Sequence, residues 1–266
     1  MHGLPYIDVP LSFGPIKTFG LLLFGGVMLG SWMCRKYCER NELDVETARW
    51  LGVRLVVWGF IGAVALDIVF YQWPRFLEDP WKTARALPIS SYGAIVTSCV
   101  AFFYYSWRKG LDRRRWGDMA AWGVSGGWLL GRLGCAVAHD HPGLKTDSPF
   151  GVNFPPLRYP LERSNEVIRA HDLGLDEFFL WILLVVLVVL LERWRRRWPG
   201  FLIGALALAY SIPRFLFEFL RPSETDPRYL GLTFAQWASL GVLLTGLWLL
   251  LVRPDRAPSM AAQEGE

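Results

Sequence analysis

Seven stretches of this chain are apolar over lengths that few water-soluble folds tolerate: residues 18–34, 50–72, 86–107, 118–138, 177–194, 199–220 and 231–252. At 1.5 Å per residue, about 20 helical residues cross the ~30 Å hydrocarbon core of a bilayer. Lipid offers no hydrogen-bond partners, so such segments must pair their backbone groups internally and read as helices. The third and fourth are interrupted by Ser, Gly and Tyr and carry the weakest signal. Across 266 residues the chain is 53% hydrophobic and only 20% charged, with a mean hydropathy of +0.26. A soluble domain carries about 25% charged residues. This composition excludes a disordered chain and a coiled coil, and four cysteines are too few for a disulfide scaffold. The expected class is an all-α polytopic membrane protein of about seven transmembrane helices.

The loop charges give an orientation. Arg35, Lys36, Arg40, Arg49 and Arg54 follow the first span. Arg108, Lys109, Arg113, Arg114 and Arg115 separate the third from the fourth, and the segment 193–197 at the end of the fifth carries Arg193, Arg195, Arg196 and Arg197. The intervening loops, 73–85, 139–176 and 221–230, are poorer in Lys and Arg for their length. Basic loops stay cytoplasmic, so the N-terminus is expected outside and the C-terminus, with Arg253 and Arg256, inside. The same pattern explains a pI near 8.9 without nucleic acid, because the basic residues form no single stripe. Residues 1–16 lack the basic start and cleavage site of a signal peptide. The long loop 139–176 is expected to form a small external subdomain, within one transmembrane domain over 1–253. The polar tail 254–266 is expected to be disordered. No internal repeat is visible. Small residues at four-residue spacing, Gly26/Gly30 and Gly127/Gly131, suit close helix approach.

Charges at bilayer depth are costly and mark function by default. In the expected orientation, Arg132 lies about 10 Å below the outer end of the fourth span. Arg214, Glu218 and Arg221 share one face at the outer end of the sixth, where Pro213 loosens the helix. Asp67 reaches the outer third of the second span, and Tyr92, Glu177 and Gln236 open the third, fifth and seventh. Arginine holds phosphate bidentately, and the outer leaflet supplies phosphate as phospholipid headgroups.

These residues resemble the signatures of the bacterial prolipoprotein diacylglyceryl transferase family. Gly131-Arg132-Leu133-Gly134, followed by Asp140, is similar to the Gly-Arg-x-Gly signature with its later acidic residue. Arg214-Phe215-Leu216-Phe217-Glu218-Phe219-Leu220-Arg221 resembles the Arg-Phe-x-x-Glu-Phe-x-Arg run, the most specific of the set. Leu232-Thr233 with Gln236 and Ser239, Phe150-Gly151-Val152, His171 through Glu177, Gly62-Ala63, Ser91-Tyr92-Gly93-Ala94 and Phe19-Gly20 fall in family order. The chain departs at Cys135 and Ala138, where the family has Asn, and at Val64, where it has Arg, which marks a divergent branch.

The resemblance implies diacylglyceryl transfer from phosphatidylglycerol to the lipobox cysteine thiol of prolipoprotein signal peptides, at the outer face of the bacterial inner membrane. Arg132 and Arg214 would bind the phosphate and stabilise the leaving group. Glu218, Tyr92 and His171 are the candidates for orientation or proton handling, and Arg221, Asp140, Gln236 and Glu177 for substrate binding. No metal or organic cofactor is implied. The run His139-Asp140-His141, with His171 and Asp172 in the same loop, is a weak metal signal read here as a hydrogen-bonded loop. Cys135 is expected to pack as a small hydrophobe, and Cys34 and Cys38 to be plain thiols. Two other readings stay open: a family member that binds lipid or signal peptides without catalysis, and an anion-handling transporter.

Overall fold

A computed structural model describes residues 3–9, 12–13, 16–85, 89–194, 198–222 and 228–252. Arg195, Arg196, Arg197, Arg253, Arg256 and the tail 254–266 lie outside the described residues. The helices are α1 (Thr18–Asn41), α2 (Val45–Tyr71), α3 (Trp73–Glu78), α4 (Pro80–Arg85), α5 (Ser91–Arg108), α6 (Arg113–Ala138), α7 (Leu173–Glu192), α8 (Phe201–Phe217) and α9 (Phe234–Leu251). A 3-10 turn, Glu218–Leu220, extends α8. Each expected span therefore coincides with a helix. Five of them, α1, α2, α7, α8 with its turn, and α9, are long and apolar enough to cross a membrane. The exceptions are α5 and α6, the two with the weakest apolar signal. The pair α3 and α4 occupies the 73–85 loop, where single turns leave no readable periodicity.

The fold is not purely helical. Short strands are β1 (Leu4–Pro5), β2 (Ser12–Phe13), β3 (Ile16–Lys17), β4 (Pro142–Lys145), β5 (Val152–Phe154), β6 (Ile168–Asp172), β7 (Arg228–Tyr229) and β8 (Leu232–Thr233). Four of them build a sheet in the order β1-β5-β6-β4. Three strands of the 139–176 loop thus form a small sheet with the N-terminal strand β1. Its core is Val152, Phe154, Tyr159, Ile168 and Ala170.

The chain divides into two compact units, one of Met1–Gly30 with Ala120–Glu266, the other Ser31–Met119. In the second unit α2 and α5 are joined by hydroxyls rather than charges. Ser98 Oγ donates to Leu55 O at 3.0 Å, and Thr97 Oγ1 to Trp58 O at 2.8 Å. Small and hydroxyl side chains give helix contacts in lipid that apolar side chains cannot, because lipid competes equally well for those. Tyr92 lies in the first turn of α5 and Asp67 near the end of α2, where its Oδ1 is buried without a hydrogen-bond partner among the described residues.

In the first unit, glycines set the α1–α6 contact. A Cβ on Gly26 would fall 2.6 Å from Gly127 O, and one on Gly30 only 2.8 Å from Gly123 O. Any side chain at either position would force the helices apart. The expected partner Gly131 has open space instead, so the close-approach pair of α6 is Gly123 and Gly127.

Candidate active site

Helices α6, α7 and α8 bring five charged side chains into one alternating chain. Arg132 Nη2 lies 3.0 Å from Glu177 Oε2, and Arg214 Nε 3.7 Å from Glu177 Oε1. Arg214 Nη1 donates to Glu218 Oε2 at 2.7 Å, and Arg221 Nε stands 3.7 Å from Glu218 Oε1. Arg132 and Arg214 are each 8% exposed, Glu177 1% and Glu218 2%. Arg132, Glu177, Arg214 and Glu218 are buried together, and Arg221 is half-buried at their rim. Arg132 Nε is buried and has no hydrogen-bond partner among the described residues. Buried charges are normally paired, and a spare donor of this kind is costly unless a ligand accepts from it.

Local sequence explains the placement. The i, i+4 spacing of Arg214 and Glu218 stacks them on one face. The helix tightens to 3-10 at Glu218, which turns Arg221 out toward a half-buried position. Gly174 lets α7 sit against α6, since a Cβ there would lie 2.9 Å from the Cys135 carbonyl carbon. One turn farther along each helix, away from the loop, lies an aromatic layer that sequence reading missed. Trp128 precedes Arg132 by one turn, Trp181 follows Glu177, and Tyr210 precedes Arg214. The Trp128 and Trp181 rings are 6.1 Å apart, and those of Trp181 and Tyr210 are 5.2 Å apart. Tyr210 OH donates to Glu177 Oε2 at 3.5 Å, tying the layers together. The spacing of four from each charged residue was the available signal.

Beside the charged layer, His139 ends α6 in a left-handed conformation, φ 49°. Its Nδ1 is 2.5 Å from Asp172 Oδ2, and Tyr6 stacks on its ring at 4.1 Å. Asp172 Oδ1 in turn accepts from Leu175 N at 3.2 Å, capping α7. Burial disfavours the charged form of His139, but the hydrogen bond and charge of Asp172 prevail and raise its pKa above the ordinary value. His139 is therefore a clamp between the ends of α6 and α7. One ligand atom each from Cys135, Asp140 and His141 lies within 4.8 Å of the others.

The other expected site residues are spread out. His171 Nδ1 is 3.5 Å from Asp176 Oδ2. Asp140 is paired with His141 rather than with an arginine. Gln236 closes a capping box with Thr233 at the start of α9, its Oε1 accepting from Thr233 N at 3.0 Å. Tyr92 belongs to the other unit and is described there.

The profile of the prolipoprotein diacylglyceryl transferase family matches residues 8–252. The chain belongs to this family. A relative from Gloeobacter violaceus, named phosphatidylglycerol–prolipoprotein diacylglyceryl transferase, is 30% identical over 91% of this chain and 91% of its own length. One of the same name from Roseobacter denitrificans is 28% identical, covering 93% of this chain and 96% of itself. A third, from Pseudomonas fluorescens, is 27% identical over 92% and 93%. Identities in this range fit a divergent family member. The match spans α1 through α9, so the buried Arg–Glu chain lies inside the family region.

Proposed function

We propose that this chain transfers the diacylglyceryl group of phosphatidylglycerol to the lipobox cysteine thiol of prolipoproteins. Residues 1–253 would act as one seven-span domain, N-terminus outside and C-terminus inside, in a bacterial cytoplasmic membrane. The observation that carries the reading is the buried Arg132–Glu177–Arg214–Glu218 chain, with Arg221 at its rim and a spare donor on Arg132. A phosphate diester oxygen accepts from that donor and is drawn to the guanidinium groups.

The thiolate attacks the glyceryl carbon that bears the phosphate ester, a C–S bond forms, and the C–O electron pair leaves with glycerol phosphate. Charge grows on the phosphate oxygens during this step, and fixed guanidinium donors stabilise it without reorganising. Arg132 and Arg214 are the two guanidinium groups joined through Glu177, which holds both at once. Glu218 orients Arg214 through its 2.7 Å bond. His171, which faces Asp176 rather than an arginine, is the proton acceptor of this unit. Asp140 and Gln236 stay in the reading as substrate contacts, and Tyr92 as a second proton handler.

The test measures phosphatidylglycerol binding and thioether formation separately in nanodiscs. Lysine keeps the charge of arginine but not its planar fork, and misplacing a reacting group costs about 100-fold in rate. Arg132→Lys and Arg214→Lys should each lose turnover on that order, while Arg221→Lys at the rim loses less. Turnover near wild type in the first two would make the arginines structural and refute the assignment.

A further inference from the structure

We infer that Cys135, Asp140 and His141 bind a zinc ion, and that its open position takes the incoming substrate thiol. Three unlike donors, a thiol, a carboxylate and an imidazole, converge from the end of α6 and the turn that follows it, with one ligand atom of each within 4.8 Å of the others. Tetrahedral zinc with these ligands needs donor atoms about 3.3–3.6 Å apart, from bond lengths of about 2.0–2.3 Å. Small side-chain rotations close that gap. The second observation is His141 Nδ1. It is buried, lies 2.7 Å from Asp140 Oδ1, and has no hydrogen-bond partner among the described residues. The two atoms need to part by only about 0.6–0.9 Å to reach the spacing of two ligands on one ion.

Charge and access agree. A thiolate and a carboxylate balance a dication, so the loaded site adds no net charge beside the Arg132 layer. Cys135 is buried while Asp140 is exposed, which leaves the site open on one side. Three protein ligands leave a fourth position, the arrangement of catalytic rather than structural zinc. Cys135 Sγ lies 4.0 Å from Arg132 Nη1, so the ion would sit next to the proposed phosphate clamp.

The thiol role rests on the proposed function; the metal site does not. A thiol that coordinates zinc is deprotonated, its proton passing to His171, the acceptor proposed above. The bound sulfur keeps a lone pair, attacks the glyceryl carbon and forms the thioether, while the phosphate oxygen leaves with the C–O pair. The thioether is a weaker ligand than the thiolate, which frees the position for the next substrate.

The experiment uses the full chain purified in detergent without chelator, reconstituted with zinc or cobalt(II). We expect one equivalent of metal and a thiolate-to-cobalt absorption in wild type. Both should be lost in Cys135→Ala, which preserves small apolar packing, and in His141→Ala, with melting in the metal-free state unchanged. A lipobox peptide with its cysteine should intensify and shift the cobalt spectrum, and the same peptide with serine should not. Metal retained by both variants, no binding above background after reconstitution, or a spectrum blind to the thiol peptide would overturn the inference. Metal and peptide binding without diacylglyceryl transfer would count against the proposed function alone.

Discussion

Glu177 is the hinge of the charged layer, and Glu177→Gln is its sharpest perturbation. The carboxylate is 1% exposed, lies 3.0 Å from Arg132 and 3.7 Å from Arg214, and accepts from Tyr210. Glutamine keeps the shape and one carbonyl acceptor but removes the negative charge that lies beside two buried arginines, Arg132 and Arg214. Two unit charges at 4 Å interact by about 4 kcal/mol at an effective dielectric of 20. The variant loses two such contacts but no longer desolvates a carboxylate. Breaking a buried pair on one side costs about 3–5 kcal/mol in measured cases, and we expect a loss of that size for the lipid-free protein. The same reasoning gives a second, less obvious result. A phosphate bound between the arginines replaces the missing charge, so anionic phosphatidylglycerol should bind the variant about tenfold more tightly. That returns about 1.4 kcal/mol, and diacylglycerol, which has no phosphate, should return none. Unfolding by SDS titration in mixed micelles of each lipid, followed by circular dichroism, measures both. A loss below about 1 kcal/mol, or equal recovery by the two lipids, would show that Glu177 does not hold the arginines electrostatically.

The His139–Asp172 clamp is pH-dependent: the folded pKa of His139 is raised, so its stabilisation is complete below the free value of 6.5 and fades as pH climbs through the raised value. The stability gap between wild type and His139→Gln should therefore narrow from acid toward alkaline pH; a gap that widens would reverse the assigned charge state. Gly26→Val should cost about 1–3 kcal/mol by overpacking, whereas Gly131→Ala, with nothing within 4 Å, should be neutral or gain up to about 1 kcal/mol. Equal melting shifts for the two glycine variants would discard the α1–α6 contact. Single cysteines at Lys145 and Asp112 in a cysteine-free background test orientation: an impermeant thiol reagent should label position 145 in spheroplasts and position 112 only after lysis, and the reverse would invert the proposed topology.

What the sequence made legible followed from local physics. Uninterrupted apolar runs mark α2, α7, α8 and α9 because lipid removes every alternative to a helix. The spacing of Arg214, Glu218 and Arg221 shows a shared face without any structure. Long-range pairings were not legible. Arg132 and Glu177 each stood out as a polar residue near a span end, but only the packing of α6 on α7 shows that they pair. The same holds for His139, which sequence placed in a hydrogen-bonded loop without a partner and the fold gives to Asp172. Cys135 looked like a small core residue because its partners Asp140 and His141 reach it only after α6 ends and the chain turns. Trp128, Trp181 and Tyr210 were hidden among many aromatics, since an indole in a membrane span has no cost that demands explanation.

The α6–α7 seam shows how these pairings form one device. From Cys135 and Gly174 onward, each step back along α6 is matched by an equal step forward along α7, as antiparallel helices require, and the His139–Asp172 contact lies just beyond the two helix ends. His139 meets Asp172, Cys135 lies against Gly174, Arg132 pairs with Glu177, and Trp128 stacks near Trp181. The rungs change chemistry in order: a histidine clamp beside the sheet, a glycine contact, a buried ion pair, then aromatic rings. On the proposed orientation this is a descent from water into hydrocarbon, and each rung suits its dielectric. The clamp tolerates water and titrates. The ion pair sits where water is scarce enough to make a phosphate contact strong. The aromatic rung allows no charge to go deeper. A phospholipid entering beside this seam would stop with its phosphate at Arg132 and its acyl chains against the rings, and the carbon to be attacked would lie between them. Because Gly174 fixes how near the helices approach, a side chain there would shift every rung at once, so the register of the whole ladder depends on the absence of one Cβ.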